Sequence, residues 1–170
     1  MDDMTAQRHL IVMRHAKAGE LPGGQDASRE LRPRGRRDAA AAGRWLAAGG
    51  LIPGLVFCST ATRAVQTWQY VSAELGAEPE VRCDPRLYQA DARGVLDVIA
   101  EGPPGTRTLM YVGHNPAAAD LTEILTGRPA DMPTAAIAII GTDVGWPGLA
   151  VRDADGAGGL VACWTPRAGS

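Results

Sequence analysis

A chain of 170 residues can bury roughly 70% of the surface its unfolded form exposes, so its core needs neither disulfides nor a structural metal. Apolar residues make up 45% and charged residues 21%, an ordinary balance for a globular protein, while aromatics reach only 5%, so Ala, Val, Leu and Ile must supply the core. A formal charge of −2 excludes a globally basic nucleic-acid binder, and the cysteines Cys58, Cys83 and Cys163, far apart and without CxxC spacing, argue against a disulfide framework or zinc finger and suit a reducing compartment. The opening carries Asp2 and Asp3 where a signal peptide would be basic, and the longest clean apolar run, 135–140, is far short of the ~20 residues of a membrane span. A cytoplasmic protein with no membrane or nucleic-acid partner is the expectation.

In chain order, Leu10 to Met13 reads as a short buried strand, and 19–33, with Pro22, Gly23, Gly24 and Pro33, as a loop. A helix over 34–48 places Ala39, Ala42, Gly43 and Leu46 on one face and stops at Gly49. Leu55 to Cys58 is a second strand. Ala61, Ala64, Val65, Trp68 and Leu75 mark a helix closed by Gly76. A short strand near Val81, a helix over 92–100 and a strand over 108–112 follow. Asn115 as N-cap and Pro116 as first helical residue then open a helix with Ala117, Leu121, Ile124 and Leu125 on its apolar stripe. The remainder reads as strands at 135–140, 148–152 and 160–164. Such alternation predicts one α/β domain over 1–170 with a mostly parallel central sheet, 1–7 and 166–170 being flexible.

Three short stretches carry the unusual residues, and each follows a predicted strand. They are Arg14-His15, Ser59 to Arg63, and Gly113-His114-Asn115-Pro116. Open α/β sheets bind ligands at the carboxyl ends of their strands. Two guanidiniums and two helix N-termini there would grip a phosphoryl group, and a neutral imidazole is a competent nucleophile towards phosphorus. Neighbouring Arg charge should lower the pKa of His15 and keep it neutral, and His114 can donate to the phosphoryl oxygens. Positive charge is already present in the side chains, so no cofactor or metal is expected, and neither a Walker loop nor a Rossmann fingerprint occurs. Singly, each residue also has a structural reading: a strand-end Arg commonly makes a surface salt bridge, and a His at a helix start commonly packs or caps. Arg63 is odd in that role, because a cation in a first helical turn opposes the helix dipole. His9, at a strand start, reads as an ordinary surface or partly buried residue.

Together these motifs resemble the histidine phosphatase superfamily. Leu10-Ile11-Val12-Met13-Arg14-His15-Ala16 is similar to its Arg-His-Gly opening, with Ala16 in place of the usual Gly. Ser59 to Thr67 resembles its Ser-x-x-x-Arg-Ala-x-Gln-Thr segment, Val112 to Pro116 its Gly-His stretch, and Leu31 to Arg37 the run into its first helix. The order matches over about residues 8–140, and the short length with Gly-His-Asn-Pro resembles the SixA-type phosphohistidine phosphatases.

The resemblance implies a three-layer α/β/α fold of the phosphoglycerate mutase type, a nucleophilic His15, a phosphate pocket of Arg14, Arg63 and His114, and no cofactor. Larger members carry a proton-donating Glu where Tyr88 stands, a loss shared with SixA-type members. An alkoxide needs that proton, whereas a protonated imidazole leaves readily, so a phosphohistidine substrate is favoured over a sugar phosphate. Glu20 and Asp91 remain as possible donors, with Asp91 better read as the N-cap of 92–100. Asn115, Thr134, Arg34 and Asp91 are rim candidates. The cluster Arg29, Arg32, Arg34, Arg36 and Arg37 reads either as a solvated helix start or as a rim attracting a phosphoprotein. The expected function is a metal-independent phosphatase acting on a phosphorylated protein. A broad small-molecule phosphomonoesterase and a non-catalytic phosphoprotein-binding module are the alternatives.

Overall fold

Four apolar runs build the centre of the sheet, because strands covered on both faces need apolar residues at every position. A computed structural model describes residues 7–151 and 154–168 of the chain. Its six strands are β1 (Arg8–Arg14), β2 (Leu55–Ser59), β3 (Glu80–Asp84), β4 (Thr108–Gly113), β5 (Ile137–Thr142) and β6 (Gly158–Trp164), in the spatial order β3-β2-β4-β1-β5-β6. β3, β2, β4 and β1 run parallel, and β5 and β6 close one edge antiparallel. The central strands are almost wholly buried, while the edge strands β3 and β6 alternate or face solvent.

The pleat sorts the strand residues into two cores. Leu10, Val12, Phe57 and Tyr111 face α3 (Ala92–Ile99), α4 (Ala117–Thr126) and α5 (Trp146–Leu149), whereas Ile11, Met13, Val56 and Val112 face α1 (Pro33–Ala48) and α2 (Thr62–Leu75). This is the expected three-layer α/β/α arrangement. Small residues let α1 approach α2 closely: a Cβ on Gly43 would stand 2.5 Å from the Val71 carbonyl oxygen.

Two expectations fail locally. The segment predicted as a strand at 148–152 starts inside α5 and leaves it through a turn at Ala150, and 152–153 lie outside the described residues. Pro147, near the start of α5, has a φ suited to a first helical turn, and Trp146 is anchored by donating from Nε1 to Thr106 O at 2.9 Å. The strand predicted from 135 begins only at Ile137, because Ala135 takes a positive φ of 67° and its N–H bonds His15 O at 3.0 Å. Of the termini expected to be flexible, 1–6 and 169–170 lie outside the described residues.

β4 lies between β1 and β2, so the carboxyl ends of three parallel strands stand side by side. Arg14 pairs with Gly113 and Cys58 with Val112, which brings the residues just beyond them, His15, His114 and Ser59, into one row.

Candidate active site

The turn after β1 is tied down on every side. His15 N–H bonds Gly113 O (2.8 Å), Ala16 N–H bonds Thr67 Oγ1 (2.9 Å), and Lys17 O accepts from Arg32 N–H (2.9 Å). Thr67 in turn donates to Arg63 O at 2.6 Å, and Gln66 Oε1 accepts from Leu31 N–H at 2.8 Å. The run Arg63-Ala64-Val65-Gln66-Thr67 thus has a structural logic: its Arg faces the pocket while its Gln and Thr brace two neighbouring segments. A Cβ on Gly35 would lie 2.2 Å from Lys17 O, so only glycine lets the first turn of α1 support this bend.

His15 is 8% exposed. Its Nδ1 donates to Ala16 O at 2.8 Å, which fixes the tautomer and leaves Nε2 with a lone pair and no hydrogen-bond partner among the described residues. Burial pushes its pKa down to about 3. The bond to Ala16 opposes that shift, and His114, Arg63 and Arg14 reinforce it. The ring is therefore neutral at physiological pH. His114, whose ring centroid lies 5.3 Å from that of His15, is lowered to about 4, first by burial and then by Arg63. Its Nε2 shares a 2.7 Å hydrogen bond with Ser59 Oγ, which also accepts from Ala61 N–H at 3.3 Å.

Arg63 is 6% exposed in the first turn of α2. It donates through Nη1 to Asp26 O (2.9 Å) and through Nη2 to Asp26 Oδ2 (3.1 Å). Arg14 donates from Nη1 to Met132 O at 3.2 Å. The Nε atoms of both arginines are buried without a partner among the described residues. A guanidinium held at one end with an unpaired buried N–H is suited to receive an anion.

These groups line a cleft of about 380 Å³ together with Lys17, Ala18, Asp26, Arg29, Tyr88, Gln89, Asn115 and Thr134. The structure therefore brings Arg14, His15, Arg63 and His114 together, with Asn115 and Thr134 on the rim. Asn115 bonds Met132 O (2.8 Å) and accepts from Ala119 N–H (3.3 Å), but the N-cap position falls on Pro116 and α4 starts at Ala117.

The other two rim candidates lie elsewhere. Arg34 is half-exposed, pairs with Asp38 at 3.6 Å and is not part of the cleft lining. Asp91 caps α3 by accepting from Gly94 N–H at 2.8 Å and lines a separate surface groove. Glu20 borders an adjoining groove shared with Asp26 and Arg29.

Asp26 is the pocket residue that sequence reasoning passed over. It sits on a 3-10 turn (Asp26–Ser28) inside the loop before α1 and accepts from Arg63, from Arg29 Nε at 2.9 Å, and from the Tyr88 hydroxyl. The Tyr88 hydrogen bond and the two arginines hold its carboxyl at about 2. A solitary acid in a Gly- and Pro-rich loop gives no periodic signal. The only local cue was the Asp26–Arg29 spacing.

Fold and pocket together define an α/β protein with a cationic cleft where three parallel strands end. Comparison with known proteins makes that class specific: the chain belongs to the histidine phosphatase superfamily (branch 1), whose family model matches residues 10–93. It is 41% identical over 113 residues to an uncharacterised protein of Mycobacterium tuberculosis, covering 66% of this chain and 69% of the relative. It is 34% identical to one of Mycobacterium leprae, over 91% of this chain and 100% of the relative. Among solved structures, the candidate phosphohistidine phosphatase SixA from Nakamurella multipartitia is 31% identical with a TM-score of 0.80, covering 96% of this chain and 98% of that one. The protein histidine phosphatase SixA complexed with tungstate shares the fold at 23% identity and a TM-score of 0.73, over 91% and 95% of the two chains. Family and neighbours support phosphatase activity. No helix among the described residues is long and apolar enough to cross a membrane.

Proposed function

We propose that the chain is a metal-independent phosphatase that passes a phosphoryl group through a covalent phosphohistidine on His15, its substrate being phosphohistidine on a partner protein. One observation carries this reading: His15 is neutral, locked in one tautomer by Ala16 O, and has a free Nε2 in a cationic cleft. In-line attack forms the Nε2–P bond as the bond from phosphorus to the leaving group breaks. Water then cleaves the P–N bond, releasing phosphate and restoring His15. Arg14 and Arg63 hold the non-bridging oxygens and supply the positive charge that metal ions bring to other phosphoryl transfers, and His114 adds a hydrogen bond.

The leaving group decides the substrate class. Among the described residues Asp26 is the one carboxylate in the cleft lining, and it is ionised at neutral pH, while Tyr88 is raised above its ordinary phenol value by its bond to Asp26. Neither group is set to give a proton to an alkoxide. A ring-protonated phosphohistidine needs no such donor. The likeness to SixA at 31% identity supports the same substrate.

The test is a radiolabelled phosphoryl donor. Wild type should accumulate an acid-labile, base-stable adduct and release phosphate, and His15→Ala should do neither. Full turnover by His15→Ala, or activity lost to EDTA, would refute the mechanism.

A further inference from the structure

Asp26 poses a problem for a phosphate pocket. A carboxylate placed against Arg63 competes with the anion for the same guanidinium, and it repels an incoming phosphoryl dianion. Yet the fold holds it firmly. Its side chain accepts from Arg63, Arg29 and Tyr88, three donors carried by three separate parts of the chain, and its own carbonyl takes a second bond from Arg63.

Exposure says where its carboxylate lies. His15 and Arg63 form the floor, at 8% and 6% exposed, while the Asp26 side chain is 53% exposed, at the mouth. Displacement at phosphorus is in line, so the group that departs lies opposite His15 Nε2. With the nucleophile on the floor, the departing group is on the side of the mouth, beside Asp26 and Tyr88.

We infer that Asp26 is a specificity-determining residue: its carboxylate accepts the N–H of the departing ring and so favours phosphorylated imidazole over phosphate esters. The inference rests on the phosphohistidine reading above. In the ground state the substrate ring is bonded through one nitrogen to phosphorus and carries a proton on the other. As His15 Nε2 bonds phosphorus, the P–N bond breaks and its electron pair returns to the substrate ring. That ring leaves as neutral imidazole with its remaining N–H on Asp26. An ionised carboxylate stabilises the ring while it is cationic, which keeps it a good leaving group. An ester oxygen offers no N–H to accept, and its developing negative charge is opposed by the same carboxylate. A phosphate ester therefore gains nothing from Asp26, which accounts for an acid in a cationic cleft.

The experiment compares phosphoimidazole with 4-nitrophenyl phosphate on the intact chain, as wild type, Asp26→Asn and Asp26→Glu. Asparagine keeps the shape and removes the charge. The ratio of kcat/KM on phosphoimidazole to kcat/KM on 4-nitrophenyl phosphate, which reports the step in which the leaving group departs, should fall about 10- to 100-fold in Asp26→Asn, the range of one charge-assisted hydrogen bond. Asp26→Glu should recover part of it. If both substrates slow equally, Asp26 only orients Arg63 and the inference is overturned; a ratio that rises overturns it as well. Wild-type protein that cleaves the nitrophenyl ester but not phosphoimidazole refutes the substrate reading itself and takes this inference with it. Loss of the His15 adduct is a separate failure, of the covalent mechanism, and is read by the labelling experiment.

Discussion

Lowering the pH from 7 to 5 should cost the wild-type protein about 2 kcal/mol more unfolding free energy than it costs His15→Asn. The sign follows from burial. An unfolded histidine titrates near 6.5, whereas His15 in the fold is pushed down to about 3. Between those values the unfolded chain takes up a proton that the folded one refuses. The contribution is therefore fully present above about pH 6.5 and is lost as the pH falls towards 3. From 6.5 to 5, at about 1.4 kcal/mol per pH unit, the loss is about 2 kcal/mol. His114, lowered to about 4, adds a similar loss in both proteins and cancels in the comparison. Urea unfolding at the two pH values measures the difference, and NMR titration of the His15 ring measures its cause. The same low value keeps the nucleophile neutral at pH 5, where an unperturbed ring would be only about 3% neutral. Equal losses in the two proteins, or a His15 midpoint near 6.5, would refute the reasoning.

Three further changes probe the supports of the pocket. Thr67→Val removes the acceptor for Ala16 N–H and leaves that buried group unpaired; it should destabilise the protein by about 1–3 kcal/mol in urea unfolding and lower kcat on 4-nitrophenyl phosphate. Ser59→Ala frees His114 Nε2 and leaves the buried Ala61 N–H unpaired, so it should reduce kcat about tenfold in steady-state assays and also destabilise the protein by about 1–3 kcal/mol in urea unfolding. Gly35→Ala drives a Cβ to 2.2 Å from Lys17 O, so about 1–3 kcal/mol of stability should be lost as the bend after β1 shifts.

The central strands β1, β2 and β4 were legible in the sequence because burial on both faces demands continuous apolar runs, and the three strand-end motifs could be placed from them. What the residues alone did not give was the neighbour relation. That β4 inserts between β1 and β2, and so gathers Arg14, His15, Arg63 and His114, is a property of topology. Asp91 was readable as a cap because capping is local, and that same capping bond holds it off the cleft lining. The α5 segment misled because Leu149, Ala150 and Val151 look like a strand, whereas Pro147 and the anchored Trp146 ring decide the backbone. Asp26 was invisible for the opposite reason: each of its partners except Arg29 lies more than thirty residues away.

The cleft floor and its mouth hang from different kinds of backbone. His15, His114 and Arg63 are carried by strand ends and a helix start whose amides are already spent in the sheet and its braces. Asp26, Tyr88 and Thr134 come instead from irregular connections, at 19–32, 85–91 and 127–136, that run largely over the surface. Away from the braces made by Leu31, Arg32, Met132, Ala135 and Ala136, lengthening those connections disturbs little buried hydrogen bonding. Descendants of this chain are thus free to change the shape of the entrance by insertion, while the strand ends behind it stay in register.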